Sequence, residues 1–249
     1  MLTTIIKTKN SEETISEVLE SVKDLGEIII LDGHSKDDTI LLAKEYKANV
    51  IYSSAMDFSS AFQEALSQAS NDWVLFLEGD EIIPEKLAQN ILNYVEAPKK
   101  NKNDVFIPQK IFYLNKEIKA ARCLKLKLFK KDSVELLNNF SSDLKPFKTK
   151  KHNLNKNFKQ DKNCILKFEK RSVFTYLQNI IEENIIKSKE NVSKKASVIL
   201  KPFMRFLYFY FIKGAIFDGR NGFIYSILKY IDCFILQCNN FEKNKSDLF

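Results

Sequence analysis

The sequence predicts an α/β protein built on a mostly parallel β-sheet with helices on both faces. Strand-like and helix-like segments alternate through about the first hundred residues. The strand-like segments are almost continuously apolar, as in EIIIL at 27–31. Strands buried on both faces have this composition, and they occur in parallel sheets that helices cover.

The elements of this first half follow one another in a regular order. The predicted strands lie at residues 3–8, 27–31, 49–52 and 73–77. The helix-like segments that follow them lie at residues 11–24, 37–46, 58–69 and 84–96. Ser11 is a typical capping residue, and Pro84 suits the first turn of a helix. The alternation therefore predicts four strand–helix units.

The pattern weakens after a polar break at residues 97–103. We predict strands at 105–108, 125–129 and 164–168, a polar loop at 148–163 and a helix at 173–192. Two aromatic segments that carry basic residues follow, at 199–219 and 221–238. The sequence thus predicts a helical extension after the α/β part.

Charge is distributed unevenly along the chain. Residues 1–98 hold 7 Lys and 18 Asp or Glu, a net charge of −11, whereas the remaining residues hold 32 basic and 14 acidic groups, a net charge of +18. Basic surfaces attract phosphates of nucleic acid, anionic lipid or a phosphorylated ligand, but a lysine-rich solvated surface explains the excess equally well. We expect no nucleic-acid partner, because the aromatic residues are concentrated in apolar helices and no recognisable binding module is present.

Cysteine and histidine usage argues against a structural zinc site. The four cysteines lie far apart, at 123, 164, 233 and 238, and the chain has only two histidines. This usage favours a reducing compartment. The opening segment MLTTIIKTKN has too short an apolar run for a signal peptide, so we expect a cytoplasmic protein.

Three predicted strands end in polar residues. Because ligands bind beyond the carboxyl ends of parallel strands, we expect Asp32, Glu78 and Asp80 to converge on one crevice. Clustered carboxylates need a cation to offset their repulsion, and Mg²⁺ typically uses one or two carboxylates plus substrate phosphates. Gly79 would leave room for a ligand. The stretch LEGDE at 77–81 therefore predicts a metal–diphosphate site, although a solvated acidic turn has the same local sequence.

The order of these motifs resembles family 2 glycosyltransferases with the GT-A fold. In that family the first strand ends in T-x-N-x-E, the second in D-x-x-S-x-D-x-T and the fourth in D-x-D-E. This chain has TKNSE at 8–12, DGHSKDDT at 32–39 and EGDE at 78–81. The resemblance covers about the first hundred residues, and the second motif is the most specific.

The later part of the chain resembles the small bacterial lipopolysaccharide-core glycosyltransferases. There an aromatic, basic helix precedes a glycine-rich element with a central Asp-Gly, which this chain matches with Gly214, Asp218, Gly219 and Gly222 in the spacing G-x-x-x-D-G-x-x-G within the segment 201–223. The segment KLFK at 127–130 stands where that branch has R-L-F-R. The resemblance implies three regions: a nucleotide-sugar-binding half at 1–98, an acceptor-side half at 99–170 and a helical extension at 171–249.

The resemblance also implies roles for individual residues. Asp80 would ligate Mg²⁺ or Mn²⁺ between the diphosphate oxygens. Asp32 would contact the base of the nucleotide sugar, most simply a UDP-sugar, and Glu78 would touch the ribose. The remaining positions that the motifs assign to nucleotide-sugar binding are Thr8, Asn10, Glu12, Ser35 and Lys127. An inverting transfer to a surface-glycan acceptor is the implied reaction.

The chain departs from the family pattern at three places. Glu78 replaces the first Asp of D-x-D, and Lys9 replaces a common Tyr. The His-Glu pair that supplies the base in the lipopolysaccharide-core branch is absent, and we predict Asp143 as the catalytic base, with Glu135 as the alternative. These departures keep a second hypothesis open: a non-catalytic relative that binds a nucleotide sugar or a partner.

The aromatic extension suits the surface of a membrane better than its interior. The run at 203–217 carries Arg205 and Lys213 and is short for a span of ~20 apolar residues. Aromatic and basic helices of this kind lie in the headgroup region, although packing against the protein core would use the same pattern. We expect peripheral attachment to the cytoplasmic face of the inner membrane, where a glycolipid or oligosaccharide acceptor would be reached.

Overall fold

The computed structural model describes residues 1–53, 58–98, 104–113, 115–136, 144–146, 163–169 and 198–246, with four single positions between 177 and 184. Packing divides the chain into two compact units. The first comprises Met1–Lys110 and Cys123–Phe168, and the second comprises Ile111–Arg122 and Glu169–Phe249. The three regions expected from the sequence stay a prediction.

The first unit contains the four predicted parallel strands. They are β1 (Leu2–Thr8), β2 (Gly26–Asp32), β3 (Asn49–Tyr52) and β4 (Trp73–Glu78). The parallel strands are ordered β3-β2-β1-β4, so β1 lies between β2 and β4. The register places Thr8 opposite Asp32 and Lys7 opposite Glu78, which brings the carboxyl ends of three strands to one edge.

Helices cover both faces of these strands, as the apolar runs predicted. They are α1 (Glu12–Val22), α2 (Thr39–Glu45), α3 (Phe58–Gln68) and α4 (Glu85–Glu96). Successive strand residues point to opposite faces. On β1, Ile6 packs in a cluster with residues of α1 and α4, and Ile5 packs in a second cluster with residues of α3. Both faces of the parallel strands are therefore buried.

The remaining described strands pair antiparallel, and most of them extend the sheet beyond β4. They are β5 (Glu81–Ile82), β6 (Val105–Tyr113), β7 (Lys116–Glu117), β8 (Cys123–Lys130), β9 (Val134–Leu136), β10 (Leu144–Pro146) and β11 (Ile165–Glu169). The full sheet runs β3-β2-β1-β4-β8-β6-β11-β5, with β7 paired to β6, while β9 and β10 form a separate ribbon. The sheet is therefore mixed, and its parallel part is confined to β1–β4.

The short strand β5 has a consequence for the site. It pairs antiparallel with β11, and the register places Lys167 opposite Glu81. A lysine far along the chain thus reaches the stretch that follows β4. No sequence signal predicted β5, because two residues carry no periodicity.

The second unit is mainly helical. It holds a 3₁₀ turn at Lys119–Ala121, α5 (Leu200–Leu207), a π-helical turn at Tyr208–Ile212, a second 3₁₀ turn at Ala215–Asp218 and α6 (Gly219–Ser246). A Cβ on Gly222 would lie 2.0 Å from the Ala215 carbonyl oxygen, so only glycine fits there. Asp218 accepts a hydrogen bond from the Ala120 backbone N–H at 3.2 Å. The glycine-rich element from Gly214 to Gly222 therefore stabilises the packing of this unit.

The helix predicted at 173–192 is described only at four positions, all of them helical. Within the described part of the chain, no helix combines the length and the apolar character that crossing a bilayer requires. Several aromatic side chains of α5 and the turns after it are nevertheless exposed.

Candidate functional site

Asp32, at the end of β2, is a fully buried carboxylate with three hydrogen-bond donors around it. It accepts from the Thr8 hydroxyl at 3.0 Å, from the Ser35 backbone N–H at 2.8 Å and from the Ser35 hydroxyl at 2.5 Å. Such donors compensate the burial of a carboxylate. Asp32, Thr8 and Ser35, which the sequence assigned to one pocket, thus lie together, and Asp32 fixes the shape of the loop that follows β2.

The loops that follow β1 and β2 are joined by reciprocal hydrogen bonds. Asn10 donates its backbone N–H to the Ser35 hydroxyl at 2.8 Å and accepts from the Lys36 N–H at 2.9 Å. Glu12 donates its backbone N–H to Asp37 at 3.1 Å and accepts from the Asp38 N–H at 3.1 Å. Asn10 has a φ of 48°, a conformation that Asn tolerates better than most residues. Asn10 and Glu12 therefore hold the loops after β1 and β2 together at this edge of the sheet.

Gly79, which follows β4, allows the chain to approach β1 and α1 closely. Its N–H donates to the Lys7 carbonyl at 2.8 Å, and its own carbonyl accepts from the Thr14 hydroxyl at 2.6 Å. A Cβ at this position would lie 2.8 Å from the Ser11 Oγ and 3.2 Å from the Thr8 Cγ2. The glycine of LEGDE is thus required for packing between the strand ends.

Gly79→Ala is expected to lower the free energy of unfolding by about 1–3 kcal/mol, because the added methyl group overpacks this contact. Urea denaturation followed by Trp73 fluorescence measures the loss, since Trp73 is the only tryptophan in the chain and is buried in the first unit. Gly33→Ala is the comparison, because its nearest contacts would be 3.3 Å and it should therefore lose less stability than Gly79→Ala. Adding Ser11→Ala removes the closest atom and should recover part of the loss. Equal stability of Gly79→Ala and the wild type would contradict the argument.

Glu78 lies between two lysines. Lys125 is 3.4 Å from one carboxylate oxygen, and Lys167 forms a close ion pair with the other. Burial raises the pKa of Glu78, but the ammonium groups of Lys167, Lys125 and Lys127 lower it by more, so that the pKa lies well below its usual value. Glu78 is therefore ionised at neutral pH, and its contribution to stability is lost only as the pH falls through this lowered pKa.

Asp80 shares one of these lysines. The Lys167 ammonium lies 3.4 Å from the Asp80 carboxylate, which is 14% exposed. The Asp80 carbonyl accepts from the Phe168 N–H at 2.9 Å, which ties the turn after β4 to β11. Lys167 thus bridges the first and second carboxylates of the E-G-D motif.

Glu81 and Lys127 form a buried ion pair beneath these residues. Their charged atoms are 2.6 Å apart, and Glu81 also accepts from the Gln109 side chain at 2.6 Å and from the Glu78 backbone N–H at 3.0 Å. The Lys127 ammonium also lies 5.6 Å from the centre of the Phe76 ring. The sequence assigned Lys127 to nucleotide-sugar binding. In the structure its ammonium pairs with Glu81, the last residue of the E-G-D-E stretch, and the assigned role stays a prediction.

Sequence reasoning missed the other members of this group. Lys125 lies two residues before Lys127 on β8, so alternation along a strand places both on one face. This spacing could have predicted that Lys125 joins Lys127 at the site. Lys167 and Gln109 reach the site through sheet pairing over long sequence distances, for which a single sequence offers no signal. Together three lysines surround the three carboxylates of residues 78–81.

Glu78 and Asp80 can hold a divalent cation only if a bound ligand supplies the remaining coordinating atoms. Among the described residues, no group of three or more His, Cys, Asp or Glu side chains could hold a metal ion. Glu78 and Asp80 do supply oxygen ligands, which Mg²⁺ and Mn²⁺ prefer. The residues therefore fit a metal whose coordination is completed by phosphate oxygens of a ligand.

The predicted catalytic base cannot be placed beside this site. Asp143 lies outside the described residues, and only the backbone of Glu135 is described, in β9. Both assignments stay predictions.

An aromatic pair that the sequence did not indicate lies at the ends of β2 and β3. The rings of His34 and Tyr52 are stacked, with centroids 5.8 Å apart and an interplanar angle of 14°. Both side chains are exposed, and the Ser53 N–H donates to the Asp32 carbonyl at 2.8 Å. A flat, accessible aromatic surface thus lies beside the crevice.

Comparison of the sequence with protein families gives one match. The sequence model of the family described as glycosyl transferase family 2 matches residues 3–169, two thirds of the chain. This span includes every crevice residue described above.

Curated relatives match over a shorter stretch. An uncharacterized glycosyltransferase of Rickettsia typhi is 36% identical over 97 residues, which cover 39% of this chain and 33% of that protein. A counterpart from Rickettsia prowazekii is 35% identical over 91 residues, which cover 36% of this chain and 31% of that protein. The chain thus spans about a third of the length of these relatives.

Solved structures also match over part of the chain. The glucosyl-3-phosphoglycerate synthase of Mycobacterium tuberculosis, solved with Mn²⁺, UDP and glucosyl-3-phosphoglycerate, is 27% identical with a TM-score of 0.33, over 45% of this chain and 43% of that chain. The mannosyl-3-phosphoglycerate synthase of Rubrobacter xylanophilus is 21% identical with a TM-score of 0.35, over 44% of this chain and 39% of that chain.

Proposed function

The chain belongs to glycosyl transferase family 2, and from this premise we propose that it transfers a sugar from a nucleotide-sugar donor to a glycan acceptor. The observation that carries the proposal is the placement of Asp32 at the carboxyl end of β2 and of Glu78 and Asp80 at and just after the carboxyl end of β4, the two strands that flank β1. Open α/β sheets bind their ligands at such an edge. The family match covers all three residues.

In the proposed reaction an acceptor hydroxyl attacks the anomeric carbon of the donor sugar. The bond between that carbon and the diphosphate oxygen breaks, and a carboxylate base takes the hydroxyl proton. Asp80 would hold a divalent cation, Mg²⁺ or Mn²⁺, which supplies positive charge to the departing diphosphate when bound. Asp32 and the loops it fixes would orient the nucleoside.

The aromatic pair of His34 and Tyr52 offers a binding surface for the base of the donor. Lys9 stands where the family commonly has Tyr, so an aromatic contact from the first loop is missing. The exposed rings of His34 and Tyr52 provide such a contact from β2 and β3 instead. Stacking on an aromatic ring contributes about 1–3 kcal/mol per base.

The proposed acceptor is a lipopolysaccharide-core or related surface glycan. Its support is the resemblance of the segment 201–223 to the lipopolysaccharide-core enzymes. A non-catalytic relative that binds a nucleotide sugar is the second candidate, because Glu78 is paired with two lysines and the usual His-Glu pair is absent.

Thermal unfolding with nucleotides tests donor binding. UDP, GDP, CDP and ADP are added, each with and without Mn²⁺ or Mg²⁺. A ligand at 100 times its dissociation constant adds ~2.7 kcal/mol, or roughly 5–11 °C at ~2–4 °C per kcal/mol in a chain of this size. We expect one nucleotide to stabilise the protein in the presence of metal. If none does so under any condition, the proposed function is wrong.

The second part of the proposal is peripheral attachment to the cytoplasmic face of the inner membrane. The second unit exposes a group of apolar side chains, which we term the aromatic surface: Phe203, Met204, Tyr208, Phe211, Ile212 and Phe217. Phe217 is 90% exposed and Ile212 is 76% exposed. Arg205 and Lys213 are exposed on the same segment. Large exposed apolar patches mark interaction sites, and adjacent basic residues suit anionic lipid.

Replacing Phe211 and Phe217 together by serine should weaken binding to anionic vesicles by at least about 100-fold. Burying one such side chain contributes about 1.5–3 kcal/mol, and two contribute twice that amount. Co-sedimentation with phosphatidylcholine–phosphatidylglycerol vesicles measures the effect. Leu41→Ser is the matched control, because Leu41 is a 61% exposed apolar residue of the first unit. Unchanged binding of the double variant would contradict peripheral attachment through this surface.

A further inference from the structure

Lys167 occupies the position between the two carboxylates that a metal would have to approach. Its ammonium pairs with Glu78 and lies 3.4 Å from Asp80. The side chain is only 15% exposed. Its backbone is held in β11, opposite Glu81 in the sheet register, so the side chain starts beside these carboxylates and its ammonium can move within the length of that side chain.

Two further lysines pair with the carboxylates around Lys167. Lys125 reaches Glu78 from β8, and Lys127 is bound to Glu81. Within the part of the chain that the structure describes, three ammonium groups thus lie beside the three carboxylates of residues 78–81. A divalent cation that entered alone would be repelled by these lysines at short range. It would also displace Lys167 from Glu78 and Asp80, and a mostly buried ammonium that loses its carboxylate partners is strongly destabilised.

A diphosphate changes this balance. It brings negative charges that Lys167 can bind when the metal takes Glu78 and Asp80. Phosphate oxygens also complete the metal's coordination. Because Lys167 would exchange the two carboxylates for the diphosphate, the metal should bind together with the diphosphate more tightly than it binds alone.

We propose that Lys167 is an internal counter-ion of the donor site: it neutralises Glu78 and Asp80 when the site is empty and binds the donor diphosphate when metal enters. Metal binding then depends on the nucleotide, and by reciprocity nucleotide binding depends on the metal. The inference rests on the proposed function, because it assigns a diphosphate ligand to this edge of the sheet.

The test measures Mn²⁺ binding by electron paramagnetic resonance in the wild type and in Lys167→Gln, with and without UDP, which is replaced by GDP, CDP or ADP if that nucleotide is the one that stabilises the protein in thermal unfolding. Couplings between sites are typically about 5–150-fold. We therefore expect the wild type to bind Mn²⁺ at least about tenfold more tightly with UDP than without it. Lys167→Gln should bind Mn²⁺ alone at least about tenfold more tightly than the wild type, and should bind UDP with Mn²⁺ more weakly.

Lys86→Gln is the control, because Lys86 is exposed on α4 and lies outside the carboxylate group. It should bind Mn²⁺ as the wild type does. The variant gains affinity for Mn²⁺ alone, so misfolding cannot imitate the expected result.

The outcomes separate the inference from the function on which it rests. If UDP binds with Mn²⁺ but Lys167→Gln gains no affinity for Mn²⁺ alone, the counter-ion role is wrong while the proposed function stands. Wild-type protein that binds Mn²⁺ equally well with and without UDP also overturns the inference. If Lys167→Gln gains Mn²⁺ affinity but no nucleotide binds either protein, the diphosphate exchange is wrong, and the proposed function fails with it.

Discussion

Lys127→Met is expected to lower the free energy of unfolding by about 3–5 kcal/mol, the largest effect on stability that a single charged residue of this site should have. Lys127 and Glu81 are both buried and 2.6 Å apart. Methionine fills much of the volume of the lysine chain but leaves the Glu81 carboxylate without its cation. The hydrogen bonds from Gln109 and from the Glu78 N–H remain, and they cannot neutralise the charge.

Urea denaturation followed by Trp73 fluorescence measures this loss, because Trp73 lies in β4 next to β8. Lys44→Met is the control, since Lys44 is exposed on α2 and such changes usually stay within about 0.5 kcal/mol. The double variant Lys127→Met, Glu81→Gln should be more stable than the sum of its single variants, because it removes both charges. A loss below about 1 kcal/mol for Lys127→Met would show that water or another cation compensates Glu81.

Local sequence was sufficient to predict the parallel half of the sheet. The runs around Ile29 and Phe76 are apolar at every position, and only burial on both faces explains that pattern in a short segment. The helices between them have one apolar face and recognisable first turns. The match to glycosyl transferase family 2 confirms the family that these strand ends predicted.

The antiparallel half could not be predicted to the same extent. β5 has two residues, and its partner β11 begins more than eighty residues later. Pairing of this kind is decided by packing of the whole sheet, which local propensity does not encode. The sequence therefore could not predict that Lys167 lies beside Glu78 and Asp80, although this lysine determines how the two carboxylates of the E-G-D motif are paired.

At the site, too, contacts between residues in neighbouring motifs could be predicted, whereas contacts made by sheet pairing over long sequence distances could not. The proximity of Thr8, Asp32 and Ser35 could be predicted, because they lie in motifs at the ends of neighbouring strands, whereas their role in ligand binding stays a prediction. Lys127 was assigned to the ligand from its motif, whereas the geometry pairs it with Glu81. A motif identifies the residue type at a position, but the direction of a long side chain depends on the charges that the fold brings near it.

Asp80→Asn is expected to reduce turnover by about 10²–10³-fold, the usual effect of removing one group that stabilises charge in the transition state. The release of nucleoside diphosphate is measured with the sugar donor of whichever nucleotide stabilises the protein and with a lipopolysaccharide-core oligosaccharide as the acceptor. Asparagine keeps the shape of the side chain but loses the charge that would hold a divalent cation. The carbonyl of residue 80 still accepts from the Phe168 N–H, so the turn should persist.

Asp72→Asn is the matched control, because Asp72 is exposed just before the opposite end of β4 and receives the same substitution. Its turnover should equal that of the wild type. Loss of activity in Asp80→Asn with unchanged stability would place the defect in the chemistry. If Asp80→Asn turns over as fast as the wild type, the lysines alone supply the positive charge and Asp80 holds no metal. If the wild type binds the nucleotide but turns over no donor, either with core oligosaccharides or with water as the acceptor, the result favours the non-catalytic candidate, because the binding residues would persist without a functioning base.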